Sequence, residues 1–172
     1  LKTGGDLDVS GTWNGLDFDI ELDNSDDSTD SSVNLTAAAV SVIAGNDATA
    51  DLDLNLSSSG DGPVETVGAI VVGNVTLAAG TDGEVDFSVS GYANNYSEGD
   101  ALVGDVTVGN IGITLAKSAT DTDVTIEQYA NAEDGSATVG NMKVGNVTLN
   151  AAENADFEDI NVYQYAHADS GD

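Results

Sequence analysis

The chain has 172 residues, with 31 acids against three lysines and no arginine, and a formal charge of −28. So strong a negative field repels phosphate groups, which argues against nucleic acid and anionic membranes as partners. There is no cysteine for a disulfide or thiolate metal site, and no apolar run approaches the roughly 20 residues that span a bilayer.

High charge on a chain of low hydrophobicity signals disorder. Here 40% of the residues are apolar, and they fall in periodic blocks that predict a folded all-β protein. Asp far outnumbers Glu, a choice that suits turns and hard-cation ligands better than helices.

In the first third, Leu16-Asp17-Phe18-Asp19-Ile20 matches Val85-Asp86-Phe87-Ser88-Val89, and Asp51-Leu52-Asp53-Leu54 matches Asp86-Phe87-Ser88-Val89 at an offset of 35. Trp13 is a candidate core or cap residue, and Asp23, Asp26, Asp27 and Asp30 form an acidic cluster in a Ser/Thr-rich loop. Pro63 marks a seam, after which the repetition sharpens. Val72-Gly73-Asn74 returns as Val108-Gly109-Asn110 and again as Val144-Gly145-Asn146, with starts 36 residues apart. A second phrase keeps nearly the same beat: Asp86-Phe87-Ser88-Val89, Asp123-Val124-Thr125-Ile126 and Asp159-Ile160-Asn161-Val162. Each is followed by Tyr-Ala, at Tyr92, Tyr129 and Tyr165. Fixed-period self-similarity marks an array whose units bury their apolar faces against one another. The units fall at 1–31, 32–67, 68–103, 104–139 and 140–172, the first two divergent, within one array over 1–172. The opening at Leu1 and the regular final phrase suggest a piece of a longer repetitive protein.

Within the phrases apolar residues alternate strictly, as at Val124 and Ile126 or Leu52, Leu54 and Leu56, the period of half-buried strands. The parity flips at Gly73-Asn74, which predicts a turn or bulge there. No amphipathic helix is apparent. A finer echo relates Asp105-Val106-Thr107-Val108 to Asp123-Val124-Thr125-Ile126, 18 residues later. It predicts a β-solenoid of about 18 residues per coil, two coils per unit, and hence a rod of about nine coils and ~43 Å. The alternative is an antiparallel hairpin array with Gly-Asn as the hairpin turn.

The phrases Gly73–Phe87 and Val103–Ile111 resemble repeats of large secreted bacterial surface proteins, namely haemagglutinin-type β-helical exoproteins and acidic giant adhesins. The resemblance implies an extracellular or cell-surface location and a structural role, as stalk, filament or surface-layer segment, by self-association or continuation into further repeats. It leaves as alternative an adhesin-type module that binds a surface or glycan. The calcium β-roll nonapeptide is absent, because Gly4-Gly5-Asp6-Leu7-Asp8 has the wrong spacing.

Acidic residues recur at one turn of each unit: Asp82, Glu84 and Asp86, then Asp121 and Asp123, then Asp156, Glu158 and Asp159. Clustered carboxylates are calcium's preferred ligands, so these eight are the candidate metal site and calcium the candidate cofactor. The competing reading is a solvated acidic face. Stacking at 18 residues per coil would set equivalent acids ~10 Å apart. The tyrosines form a candidate stack or sugar-binding strip. His167, the only histidine, occupies the repeat position of Asn94 and Asn131 and reads as a surface turn residue. No catalytic constellation is present, and an enzyme is not expected. Five Asn-x-Ser/Thr sequons, at Asn34, Asn55, Asn74, Asn95 and Asn146, are candidate glycosylation sites.

Overall fold

The computed structural model describes residues 7–11, 16–24 and 32–169, with side chains from Asn34 onward. Trp13, Asp26, Asp27, Asp30 and the side chain of Asp23 lie outside the described residues. The described residues contain no helix. Their strands are β1 (Leu7–Gly11), β2 (Leu16–Asn24), β3 (Ser32–Ala44), β4 (Thr49–Gly60), β5 (Val64–Ala79), β6 (Glu84–Asn95) and β7 (Asp100–Val103). There follow β8 (Val106–Val108), β9 (Ile111–Leu115), β10 (Thr122–Ala132), β11 (Ala137–Val139), β12 (Met142–Val144), β13 (Val147–Ala151) and β14 (Phe157–Ala168).

The strands wind into a β-solenoid. Sheet A stacks β1, β3 and β5, then β7, β8 and β9, then β11, β12 and β13; sheet B runs β2-β4-β6-β10-β14. Every pairing is parallel, which rules out the hairpin array. Phe18 pairs with Leu52 and Leu52 with Phe87, so the degraded first third continues the later stack, as its sequence offset predicts.

The turn is twice as long as the 18-residue echo suggests. Val75 pairs with Ile111 and Ile111 with Val147, so one full turn takes 36 residues. The segments joined by the echo, β8 and β10, lie in different sheets. They resemble each other because both sheets present an inward apolar parity to the same core. The proportions change accordingly. Sheet B's five strands are separated by four steps, ~19 Å in all, while a single strand is ~40 Å wide. One copy is therefore a slab, and the expected 43 Å rod does not form.

The core is a set of aliphatic columns. Leu54, Val89 and Ile126 are each 0% exposed and stack in consecutive turns. Strict alternation supplies them in sheet B, where inward Val85, Phe87 and Val89 interleave with outward Glu84, Asp86 and Ser88. In sheet A the chain bends twice per turn, at Gly104-Asp105 and Gly109-Asn110, and the inward parity shifts at each bend. The second bend requires glycine: a Cβ on Gly109 would lie 2.7 Å from the carbonyl group of Gly73 in the turn before. Gly109 N instead donates to Val72 O at 2.9 Å, closing the bend against that turn.

Asn and Asp side chains complete the corners. Asn74 Oδ1 accepts from Asn110 N at 3.1 Å, and Asn110 Oδ1 from Asn146 N at 3.0 Å. Asp105 Oδ1 accepts from Asn141 N at 2.7 Å, and Asn34 Oδ1 from Ala69 N at 2.8 Å. Each side chain thus satisfies a backbone donor that the bend removes from the strand ladder.

The parity is testable. Ile126→Asp places an unpaired carboxylate in a column with no access to solvent and is expected to cost more than about 4 kcal/mol, enough to abolish cooperative unfolding. Thr125→Asp, one residue along on the outer face, is expected to keep a cooperative transition. Urea titrations of both variants would reject this assignment of faces if they shifted equally.

Candidate functional site

Sheet B and its turns carry the candidate metal ligands, and the structure sorts those eight residues. Asp86, Asp123 and Asp159 belong to one column on the outer face, joined by Asp51. Asp51 pairs with Asp86, Asp123 with Asp159, and Asp123 N donates to Asp86 Oδ1 at 2.9 Å. Neighbouring column members are one strand step apart, ~4.8 Å, half the separation the shorter coil implied. Glu84 stands two residues before Asp86 on the same face. Asp82 and Asp121 are exposed turn residues in the left-handed region, with φ of 52° and 49°. Asp156 and Glu158 are exposed at the outermost described turn. The carboxylates form a line flanked by turns. Among the described residues no three acids converge as a preformed ion site.

The column is electrostatically loaded. Burial pushes the Asp86 carboxyl up to about 7, and the charges of Glu84, Asp51 and Asp123 push the same way against the hydrogen bond from Asp123 N. Asp123 Oδ1 is itself buried without a hydrogen-bond partner. One row along, Ser88 Oγ donates to Asp53 Oδ1, which relieves that position. The sequence places acids here because outward positions of an alternating strand are open to polar residues. It gives no sign that equivalent acids are adjacent until the turn length is known.

The tyrosines lie three rows from the aspartate column on the same face. Tyr92 and Tyr129 stack with ring centroids 4.3 Å apart and planes at 9°; Tyr129 and Tyr165 stack at 5.0 Å and 14°. Stacking consumes the ring faces that a sugar-binding strip would offer, so the row acts first as a staple between turns. Tyr163 lies beside it, its phenol pushed up to about 12 chiefly by a hydrogen bond to the Glu127 carboxylate. His167 is in register with Asn131 and Asn94, but within β14 and not in a turn; its Nε2 is 3.0 Å from Asp169 Oδ1.

Two features escaped the sequence reading. Gln128 is fully buried, its Nε2 donating to Gly104 O at 2.6 Å, and Gln164 Nε2 donates to Gln128 Oε1 in the next turn. Their inward parity, continuing Val124 and Ile126, was the available signal. Glu65 is 2% exposed and accepts from Ser58 Oγ at 2.7 Å. The sequons also separate. Asn95 is fully buried, with Nδ2 donating to Gly62 O at 2.8 Å, so the folded chain has no room for a glycan there. Asn55 is half-buried, while Asn34, Asn74 and Asn146 are exposed.

No protein-family model, curated protein or solved structure matches the chain.

Two outcomes follow from this face. Asp86 in the folded state holds its proton to about pH 7, against an ordinary value of 3.8, so the folded chain binds more protons between those limits. Stability is therefore lost as pH rises through that window. The Tm difference between Asp86→Asn and the parent is expected to be small near pH 4, to grow in favour of Asn, and to level off above about pH 7. A difference that does not vary with pH would show that Asp86 titrates normally. Tyr129→Ala removes two stacked contacts and is expected to cost about 1–3 kcal/mol in urea unfolding, with most of it kept by Tyr129→Phe.

Proposed function

We propose that the chain is a structural β-repeat segment of an extracellular or cell-surface protein, acting by assembly and spacing. The observation that carries this reading is the in-register repetition itself: Val75, Ile111 and Val147 fall in one column and Leu54, Val89 and Ile126 in another, so each turn presents nearly the same edge to the next. A stack so built extends by adding layers of the same kind. The likeness of the Gly73–Phe87 phrase to secreted surface repeats supports the location.

The second reading, an adhesin-type module, draws on the broad face of sheet B, where rows of aspartate, tyrosine and asparagine stand in register. The ring faces are occupied, so such a partner would meet phenol edges and carboxylates. In either role Asp86, Asp123 and Asp159 hold calcium by bridging neighbours along the column, with Asp82, Glu84, Asp121, Asp156 and Glu158 beside it, or all eight form a face that any salt screens.

Sedimentation velocity in chelator, in millimolar calcium and in sodium chloride of matched ionic strength tests the reading. Assembly is expected once the charge is screened. Calcium acting beyond sodium chloride would assign it to the column, and equal responses would leave a screened face. A monomer in all three would remove the assembly reading.

A further inference from the structure

We infer that the sequons Asn74-Val75-Thr76 and Asn146-Val147-Thr148 are N-glycosylation sites, which place oligosaccharides two turns apart along one corner of the stack. The inference rests on the reading of the chain as an exported protein, since the sequon is used on the surface of secreted chains.

Asn74 has a turn on either side, with Ala39 in one and Asn110 in the other, and is nevertheless exposed. The two polar atoms of its side chain do different work. Oδ1 accepts from Asn110 N at 3.1 Å and closes the bend, whereas Nδ2 donates to none of the described residues. Val75 is 1% exposed and holds the sequon to the core, which leaves Thr76 on the outer face with the hydroxyl that the sequon requires. Transfer forms a bond from Nδ2 to the anomeric carbon of a polyprenyl-phosphate-linked oligosaccharide. The bond from that carbon to phosphate breaks, the lipid phosphate leaves with the electron pair, and Nδ2 gives up one proton. The product keeps Oδ1 as an acceptor, so the corner bond survives the modification. Asn95 lacks this division, because its Nδ2 is committed to Gly62 O inside the fold.

The turn between the two sequons supports the same assignment. Asn110 belongs to their column, but Gly112 stands where Thr76 and Thr148 carry a hydroxyl. Packing does not call for glycine at that position. A Cβ on Gly112 would meet only Val75 O, at 3.9 Å, in contrast to the blocked position at Gly109. Without the hydroxyl, Asn110 stays unmodified. Occupied corners are then two strand steps apart, ~9.6 Å, whereas consecutive ones would be ~4.8 Å apart, less than the girth of an oligosaccharide. Asn146 repeats the arrangement of Asn74: it is exposed, with an exposed Thr148 two residues on. The sugars stand at a bend of sheet A and leave the aspartate column of sheet B uncovered.

Protein taken from the cells that make it is digested and read by mass spectrometry, with its location checked by protease treatment of intact cells. Oligosaccharide is expected on Asn74 and Asn146 and not on Asn110. A surface-located protein bare at Asn74 would overturn the sites and leave the extracellular reading standing, whereas a protein enclosed within the cell would remove that reading. In a second arm the chain is secreted from a eukaryotic host behind a signal peptide, with a control sequon in a flexible tail. Thr76→Ala is expected to remove one oligosaccharide mass while circular dichroism and Tm stay unchanged, and Thr148→Ala to do the same at Asn146. Gly112→Thr creates a third sequon at Asn110, yet the secreted chain is expected to carry no more than two oligosaccharides in the column. An occupied control with a bare Asn74 would overturn the geometry of the site. Three oligosaccharides on secreted Gly112→Thr would overturn the spacing.

Discussion

Everything in this structure depends on parallel, in-register stacking at a period near 36 residues. Because each residue lies directly over its equivalent in the turn before, many side chains meet a near-copy of themselves, as Tyr92, Tyr129 and Tyr165 or Leu54, Val89 and Ile126 do. The fold thus subjects each position to one physical question: whether a residue attracts its own kind. Val, Ile and Leu pass through dispersion and burial. Asn and Gln pass because a carboxamide both donates and accepts. Tyr passes through its faces. Glycine passes by omission, since at Gly73, Gly109 and Gly145 successive backbones come too close for any Cβ.

Aspartate fails that question. A carboxylate above a carboxylate adds repulsion with each turn; at Asp86 burial first, and then the charges of Glu84, Asp51 and Asp123, push the carboxyl up to about 7. Partial relief comes from neutral neighbours. Backbone N–H groups reach Asp86 and Asp105, and Ser88 donates to Asp53. The three lysines are too few to neutralise the rest. The acidic face therefore costs stability within the turn stack, and protons or cations are the means of recovering it.

Much of the architecture was legible because stacking writes itself into the sequence as repetition. The Val-Gly-Asn spacing marked the 36-residue repeat, which is one turn and not the two coils that the sequence suggests, and the flip of parity at Gly73-Asn74 located a bend. The echo between Val106 and Val124 misled because alternation is all that a half-buried strand needs: two sheets closing on one core look alike whether or not they pair. That error carried into the spacing of the acids, since Asp86 and Asp123 are neighbours only once the turn is known to be twice as long. Gln128 was missed for a different reason. A buried carboxamide is tolerated only beside a partner, here the Gly104 carbonyl 24 residues away, and the inward parity that marks Gln128 as buried does not reveal that partner.

The constant register also sets how the chain finds its fold. In sheet B each strand pairs with one lying between 34 and 37 residues away, as with Leu16 and Ala50 at one extreme and Phe87 and Val124 at the other. Closing a loop of that size costs about 3 kcal/mol plus a constant, and every turn after the first meets the same charge against a template already formed. Folding time in such an array is governed by one repeated local step and not by total length. A gene that duplicates the 36-residue unit therefore lengthens the protein without making it harder to fold, which is how a sequence of this kind grows long.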